Sequence, residues 1–244
     1  MTDPIQFSFS GHAPVFPLPG VVFFPRTVLP LHIFEDRYRS MIRDAMQGDK
    51  LLAVSLLRPG WEENYEDNPA FHNLGTLGRI EDLEPLPDGR YNLRLVGLQR
   101  VRFGEILKDD PYRLVRISPL TETPTNENDP DVQSGKLDVL ASHGCLVREL
   151  SPDGGSCMVL DERIPFETAV NGACANLPVE ASVRQSLLEE NDLFERQRRA
   201  LDKCLADLPE SQRRLVMAAY APGRTIAETA TQVGKSATAL YKTL

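Results

Sequence analysis

The spacing of apolar residues divides the chain into a first half that reads as strands and a second half that reads as helices. Val15 to Leu31 is apolar but carries Pro17, Pro19, Pro25 and Pro30, which forbid a helix and restrict any strand to short edge pieces. Tyr38, Met41, Ile42, Ala45 and Met46 then fall at i, i+3, i+4, i+7 and i+8, the stripe of an amphipathic helix, with Gly48 placed to end it. Leu51 to Leu57 is an apolar run of strand length closed by Pro59-Gly60. Gly75 to Ile80, Tyr91 to Val96 and Leu98 to Phe103 read as further strands, and Asp88-Gly89 supplies left-handed residues for a tight hairpin. Tyr112 to Ile117 completes the β set.

Thr121 to Asp131, rich in Thr, Pro, Asn and Asp, reads as a connector, after which the apolar period becomes helical. Ser151 to Ser156 holds Pro, Asp and two glycines and predicts a turn between helices. From about Val179 one long helix is expected, with Leu187, Phe194, Leu201 and Leu208 at intervals of seven and Pro209 as its stop. The fold class that follows is α+β.

Composition adds little to that picture except in the tail. Hydrophobic residues are 41% and charged residues 25% of the 244, which suits a folded globular chain. No apolar stretch has the length of a membrane span, and Met1 to Ser10 holds Asp3 and no Lys or Arg, so the expectation is a cytoplasmic protein without membrane contact. The net charge of −8 is unevenly spread: Arg196 to Leu244 has nine Lys or Arg against four Asp or Glu, +5, which leaves −13 for residues 1–195.

Candidate chemistry is sparse. Cys145, Cys157, Cys174 and Cys204 match neither a CxxC pair nor a disulfide framework, and His143 near Cys145 has no second ligand pair at zinc-site spacing, so no metal and no cofactor is expected. Gly234-Lys235-Ser236 would need Gly at 229 to complete a phosphate loop, and Thr229 stands there. His32 has no Ser, Cys or paired carboxylate beside it in a motif, so no catalytic residue is assigned.

Three ordered blocks carry a family resemblance. Phe16-Pro17-Leu18-Pro19-Gly20-Val21-Val22-Phe23-Phe24-Pro25, continuing through Leu29-Pro30-Leu31-His32-Ile33-Phe34-Glu35 and Arg37-Tyr38, is similar to the opening of the N-terminal domain of Lon proteases. Gly75 to Ile80, Asp88-Gly89-Arg90, Leu95-Val96-Gly97 and Arg100 to Phe103 resemble its middle strands, and Pro111-Tyr112-Arg113 continues the order over about residues 14–200. The resemblance implies a PUA-like β-barrel over residues 1–120, the connector at 121–131 and a helical bundle over 132–208. It also implies a non-enzymatic substrate-binding role toward unfolded or tagged polypeptides, with a protease or chaperone as a further partner and without the ATPase and peptidase of Lon. An open barrel of this kind can bind an extended peptide along a sheet edge or apolar groove. Trp61, Tyr65 and Phe71, aromatic residues in a polar, Pro-containing loop, are the candidate peptide-binding residues; the alternative is that they anchor that loop to the core.

Residues 209–244 carry a second pattern. Leu208 to Leu215, Thr225 to Ala230, and Val233-Gly234-Lys235-Ser236 before Leu240 to Leu244 resemble region four of an extracytoplasmic-function sigma factor, a helix-turn-helix. Thr225 and Glu228 form a capping box, and Gly234 supplies the turn. Lys235, Thr238, Ala239, Lys242 and Thr243 are then the candidate DNA-facing residues, with duplex DNA or RNA polymerase as the alternative partners. Ordinary helices finishing the bundle would give the same pattern.

Overall fold

The computed structural model describes residues 10–150 and 163–206. They form six strands and five α-helices: β1 (His12–Leu18), β2 (Val28–Ile33), α1 (Asp36–Gln47), β3 (Leu51–Leu56), β4 (Leu74–Pro85), β5 (Tyr91–Lys108), β6 (Arg113–Pro119), α2 (Pro130–Leu150), α3 (Phe166–Asn176), α4 (Ala181–Leu188) and α5 (Leu193–Ala206). The chain divides into two compact units, one of residues up to Glu122 together with Pro178–Asn191, the other of Thr123–Leu177 together with residues from Asp192 on.

In the β unit the strand order is β2-β5-β4-β3-β1-β6, and β5 also pairs with β6. The pairings β5–β4–β3–β1–β6–β5 therefore close a ring, with β2 lying outside it against the first half of β5. Only β1 and β3 run parallel. The proline-broken run yields two short strands, of which β2 is the expected edge strand whereas β1 is not, since it pairs with β3 and with β6; the loop between them is buried at Phe23 and Phe24. Where two strands are expected over 91–96 and 98–103, one continuous β5 passes through a register shift opposite Leu77/Gly78. Gly97 sits at that shift: a Cβ there would lie 2.4 Å from the carbonyl oxygen of Phe24, and its own amide and carbonyl bond Thr27 O and Arg26 N at 2.9 Å.

β3 is buried at all six positions because its two faces serve different cores. Leu52 and Val54 join Ile80, Leu93, Leu95 and the α1 stripe Tyr38, Met41, Ile42 and Ala45. Leu51 and Ala53 join Val15, Leu77, Val101, Phe103 and Val115. A strand covered on both sides reads as an unbroken apolar run rather than as an alternation. The α1 helix ends as its spacing predicts, Gly48 N–H closing on Ala45 O. The β4–β5 hairpin turns at Gly89, whose φ is +81°, with Gly89 N–H donating to Leu86 O.

The long helix expected from Val179 is corrected: it is two helices, α4 and α5, which fall in different units. Asp192 starts α5 as its N-cap, accepting Glu195 N–H at 2.9 Å on Oδ1. The last carbonyls of α4 go elsewhere. Arg100 of β5, fully buried, donates Nη1 to Leu188 O and Glu190 O at 2.9 Å each and pairs through Nε with Glu122. Gln185 of α4 donates to Leu74 O at 3.0 Å. Leu187 is accordingly 1% exposed whereas Phe194 is 40% exposed, so the seven-residue spacing does not describe one seam. Pro178–Asn191 groups with the β unit rather than with the helices on either side of it in sequence. The turn at Ser151 to Ser156, Leu208 and Pro209 lie outside the described residues.

In the helical unit α2, α3 and α5 pack together. Polar side chains join them: Arg196 Nη1 donates to Asn171 Oδ1 at 2.8 Å, and Gln197 Nε2 to Gly135 O at 3.1 Å. Phe166 packs on Phe194, ring centroids 5.1 Å apart.

Candidate functional site

The three aromatic residues singled out in the sequence do not form one site. Phe71 stacks edge-on against Phe103 at 5.4 Å, bridges to Leu57 and packs on the second β core, so it anchors its loop. Trp61 and Tyr65 lie on a 3-10 turn, Trp61–Asp67, half-buried and edge-to-face at 5.6 Å. Tyr65 Oη donates to Glu35 Oε1 at 2.6 Å, while the Arg37 guanidinium lies 4.7 Å from the Tyr38 ring and 4.9 Å from the Tyr65 ring. Burial, aided by the bond to Glu35, raises the Tyr65 pKa, so this hydroxyl holds its proton as a fixed donor. The cluster sits where the chain leaves β2 for α1.

β2 itself is the more open feature. It pairs with β5 alone, from Val28↔Val96 to Ile33↔Tyr91, and no hydrogen bond among the described residues engages its outer edge. Unpaired backbone N–H and C=O groups along such an edge are a template for another strand, blunted here at Pro30, which lacks an N–H. Large apolar groups flank the strand, Val28 at 50% and Phe34 at 60% exposure. Across β2, β5 and β4 runs a groove of about 590 Å³ in which Leu31, Leu93 and Leu83 form one cross-strand row.

Polar rows lie beside it. His32, Asn92 and Glu84 are cross-strand neighbours, joined by His32 Nδ1 to Asn92 Oδ1 at 2.7 Å and Asn92 Nδ2 to Glu84 Oε2 at 3.0 Å. Arg90 Nη1 stands 3.4 Å from His32 Nε2, so Nε2 faces a donor while Nδ1 faces the Asn92 oxygen. In the next polar row Arg94 pairs with Asp82 at 3.1 Å. These groups satisfy one another, and among the described residues no Ser or Cys lines this groove.

The β2 edge, Val28 and Phe34 were not singled out in the sequence as binding residues. The signal that bears on them is Leu29-Pro30-Leu31, since a proline inside a strand marks an edge. Lys235, Thr238, Ala239, Lys242 and Thr243 lie outside the described residues. Cys174 is buried and His143 is 2% exposed; among the described residues no three or more His, Cys, Asp or Glu gather as a metal site. No described helix is long and apolar enough to cross a membrane.

Comparison with known proteins matches residues 12–203 to the model of the ATP-dependent protease La (LON) substrate-binding domain. Lon protease of Flavobacterium johnsoniae is 27% identical over 186 residues, 75% of this chain and 22% of that protein. Lon protease 2 of Myxococcus xanthus is 28% identical over 190 residues, 78% of this chain and 23% of that protein. The chain thus spans less than a quarter of these relatives. Among solved structures, a Lon N-terminal domain protein from Xanthomonas campestris aligns with a TM-score of 0.56 and 27% identity, over 81% of this chain and 99% of that one. The N-terminal domain of the Mycobacterium avium complex Lon protease shares the fold, with a TM-score of 0.61 at 16% identity, over 81% of this chain and all of that one.

Proposed function

The chain belongs to the ATP-dependent protease La (LON) substrate-binding domain family, and on that premise we propose that it is a polypeptide-recognition module whose contact line is the outer edge of β2. The free edge carries the reading: an extended segment laid along Val28–Ile33 gains main-chain hydrogen bonds without regard to its sequence. Val28 and Phe34 offer apolar contact at its two ends, and the Leu31–Leu93–Leu83 row offers a shallow floor. Trp61 and Tyr65 extend the line past Glu35, to which Tyr65 is bonded; Phe71 is left out because its ring is engaged in the core. Unfolded chains are the substrate class that this chemistry selects, because only they present free backbone and exposed apolar side chains together. The role is binding, and any processing of the bound chain belongs to a partner protease.

The test is anisotropy of a fluorescent extended peptide against the full chain, compared with the same peptide N-methylated at alternate residues. Methylating the amides that face β2 should weaken binding roughly tenfold or more, whereas the opposite register should be tolerated. Val28→Lys together with Phe34→Glu should weaken the parent peptide as well. Equal binding by both methylated registers, with no effect of the double variant, would remove the edge from the account.

A further inference from the structure

The helical unit holds a second groove, between α2 and α5, whose chemistry differs from that of the β2 edge. One stripe of α2 supplies Asp131, Ser134, Gly135 and Asp138, and α5 supplies Phe194 and Gln197, around a cavity of about 370 Å³. The spacing i, i+3, i+4 and i+7 puts those four α2 residues on one face. Gly135 lets the helices approach: a Cβ there would stand 3.0 Å from Gln197 Oε1.

The polar side chains that line the groove are two carboxylates, the Ser134 hydroxyl and the Gln197 amide, and none is cationic. Asp138 is half-buried and has neither a hydrogen bond nor an ion pair among the described residues. Asp131 is exposed beside it. Gln197 is only 7% exposed; its Nε2 donates to Gly135 O, which fixes the amide orientation, and its Oε1 receives no hydrogen bond among the described residues. Gln197 lines the groove, so an N–H donor entering it can bond this open acceptor. Neither Lys nor Arg lines the cavity. Among the described residues, Lys136, next to Gly135 in sequence, pairs with Glu127 at 3.7 Å, and Arg198, next to Gln197, pairs with Glu195 and Asp202. Phe194 leaves 40% of its surface exposed at the rim, a ring face on which a cationic side chain can lie.

We propose that this α2–α5 groove receives a Lys or Arg side chain of a bound polypeptide, so that the module prefers cationic segments carrying an apolar neighbour. The inference rests on the polypeptide-binding reading and adds a charge preference to it. Asp131 and Asp138 supply the opposite charge, Gln197 Oε1 a hydrogen-bond acceptor and Phe194 the apolar contact. Burial raises the Asp138 pKa to about 6, in keeping with a carboxylate that has no ion pair among the described residues.

The experiment uses the full chain and two short fluorescein-labelled peptides, one with Lys beside Phe at several positions, the other with each Lys replaced by Gln. At low salt the Lys peptide should bind roughly tenfold more tightly, as two weakly screened ion pairs allow, and high salt should erase most of the difference. Asp131→Asn with Asp138→Asn should bring the Lys peptide down to the Gln peptide while leaving the Gln peptide unchanged. Asp131→Lys, at an exposed position, gives the same reading should the double variant fail to fold. A Lys preference that persists in both variants overturns the inference. Equal binding of the two peptides by the native chain overturns it too, and leaves the polypeptide-binding reading standing. Binding of neither peptide removes both. Displacement of the Lys peptide by spermidine at matching charge concentration would give the groove to a small polyamine and overturn the assignment to polypeptide.

Discussion

In the β unit the polar groups beside the candidate groove are paired with one another, Arg94 with Asp82 and Asn92 with both His32 and Glu84. In the helical unit Asp131, Asp138 and Gln197 Oε1 face a groove with no side-chain partner among the described residues. The first surface therefore has backbone and apolar contact left to offer a ligand, and the second has charge. A strand edge reads any extended chain, and a carboxylate-lined groove discriminates among side chains, so on the proposed reading the two units would contribute generality and preference respectively.

The largest expected effect tests whether α4 belongs with the β unit. Arg100→Met removes the buried cation that holds Leu188 O, Glu190 O and Glu122, and takes a donor from each of them; a loss of about 3 kcal/mol or more is expected in chemical denaturation. Early proteolytic cleavage within Pro178–Asn191 should accompany it. A neutral result would detach α4 from the β unit and erase half of the comparison. Gly89→Val should cost roughly 1 to 2 kcal/mol, because φ is +81° at this turn and a Cβ would meet the Arg39 guanidinium at 2.4 Å. Unchanged stability would mean that the hairpin register is set by the strands alone.

The smallest effect belongs to the helical unit. Because burial lifts the Asp138 pKa from 3.8 to about 6, the folded form takes up a proton before the unfolded form does. Stability withheld above pH 6 should return as the pH falls through 6 toward 4. After allowance for solvent screening at this half-buried group, the gain is under about 1 kcal/mol, and Asp138→Asn should remove the pH dependence while stabilising slightly at pH 7. Melting curves across that range measure it. A carboxylate that instead loses stability on acidification would be paired, which would undo the contrast between the two grooves.

Much of the fold was legible because its signals are local. The α1 stripe, the β3 run, the Asp88-Gly89 turn and the edge-marking prolines each act over a few residues, and the structure places an element at each. The seven-residue spacing of Leu187, Phe194 and Leu201 misled, since the interruption depends on Asp192 capping a new helix and on Arg100, far away in sequence, taking the carbonyls of α4. Periodicity carries no record of such a partner. The site was harder for the same reason. Polar surroundings made Phe71 look like a binding residue, although Phe103 covers it, and the open edge of β2 depends on which strand ends up outside the ring. The α2–α5 groove brings Asp131 and Asp138 together with Phe194 and Gln197 across more than fifty residues, a proximity that no motif records.

The return of Pro178–Asn191 to the β unit makes that unit discontinuous along the chain, and this orders its assembly on the ribosome. All six strands have been synthesised by Pro119, yet Arg100 receives Leu188 O and Glu190 O only after the intervening helices have been made. Until then a guanidinium destined for the interior lacks two of its acceptors, so the nascent β unit is held short of its final stability while α2 and α3 emerge. The segment carrying α2 and α3 is thus an insertion in the β unit, and the last acceptors of Arg100 come only with Leu188 and Glu190.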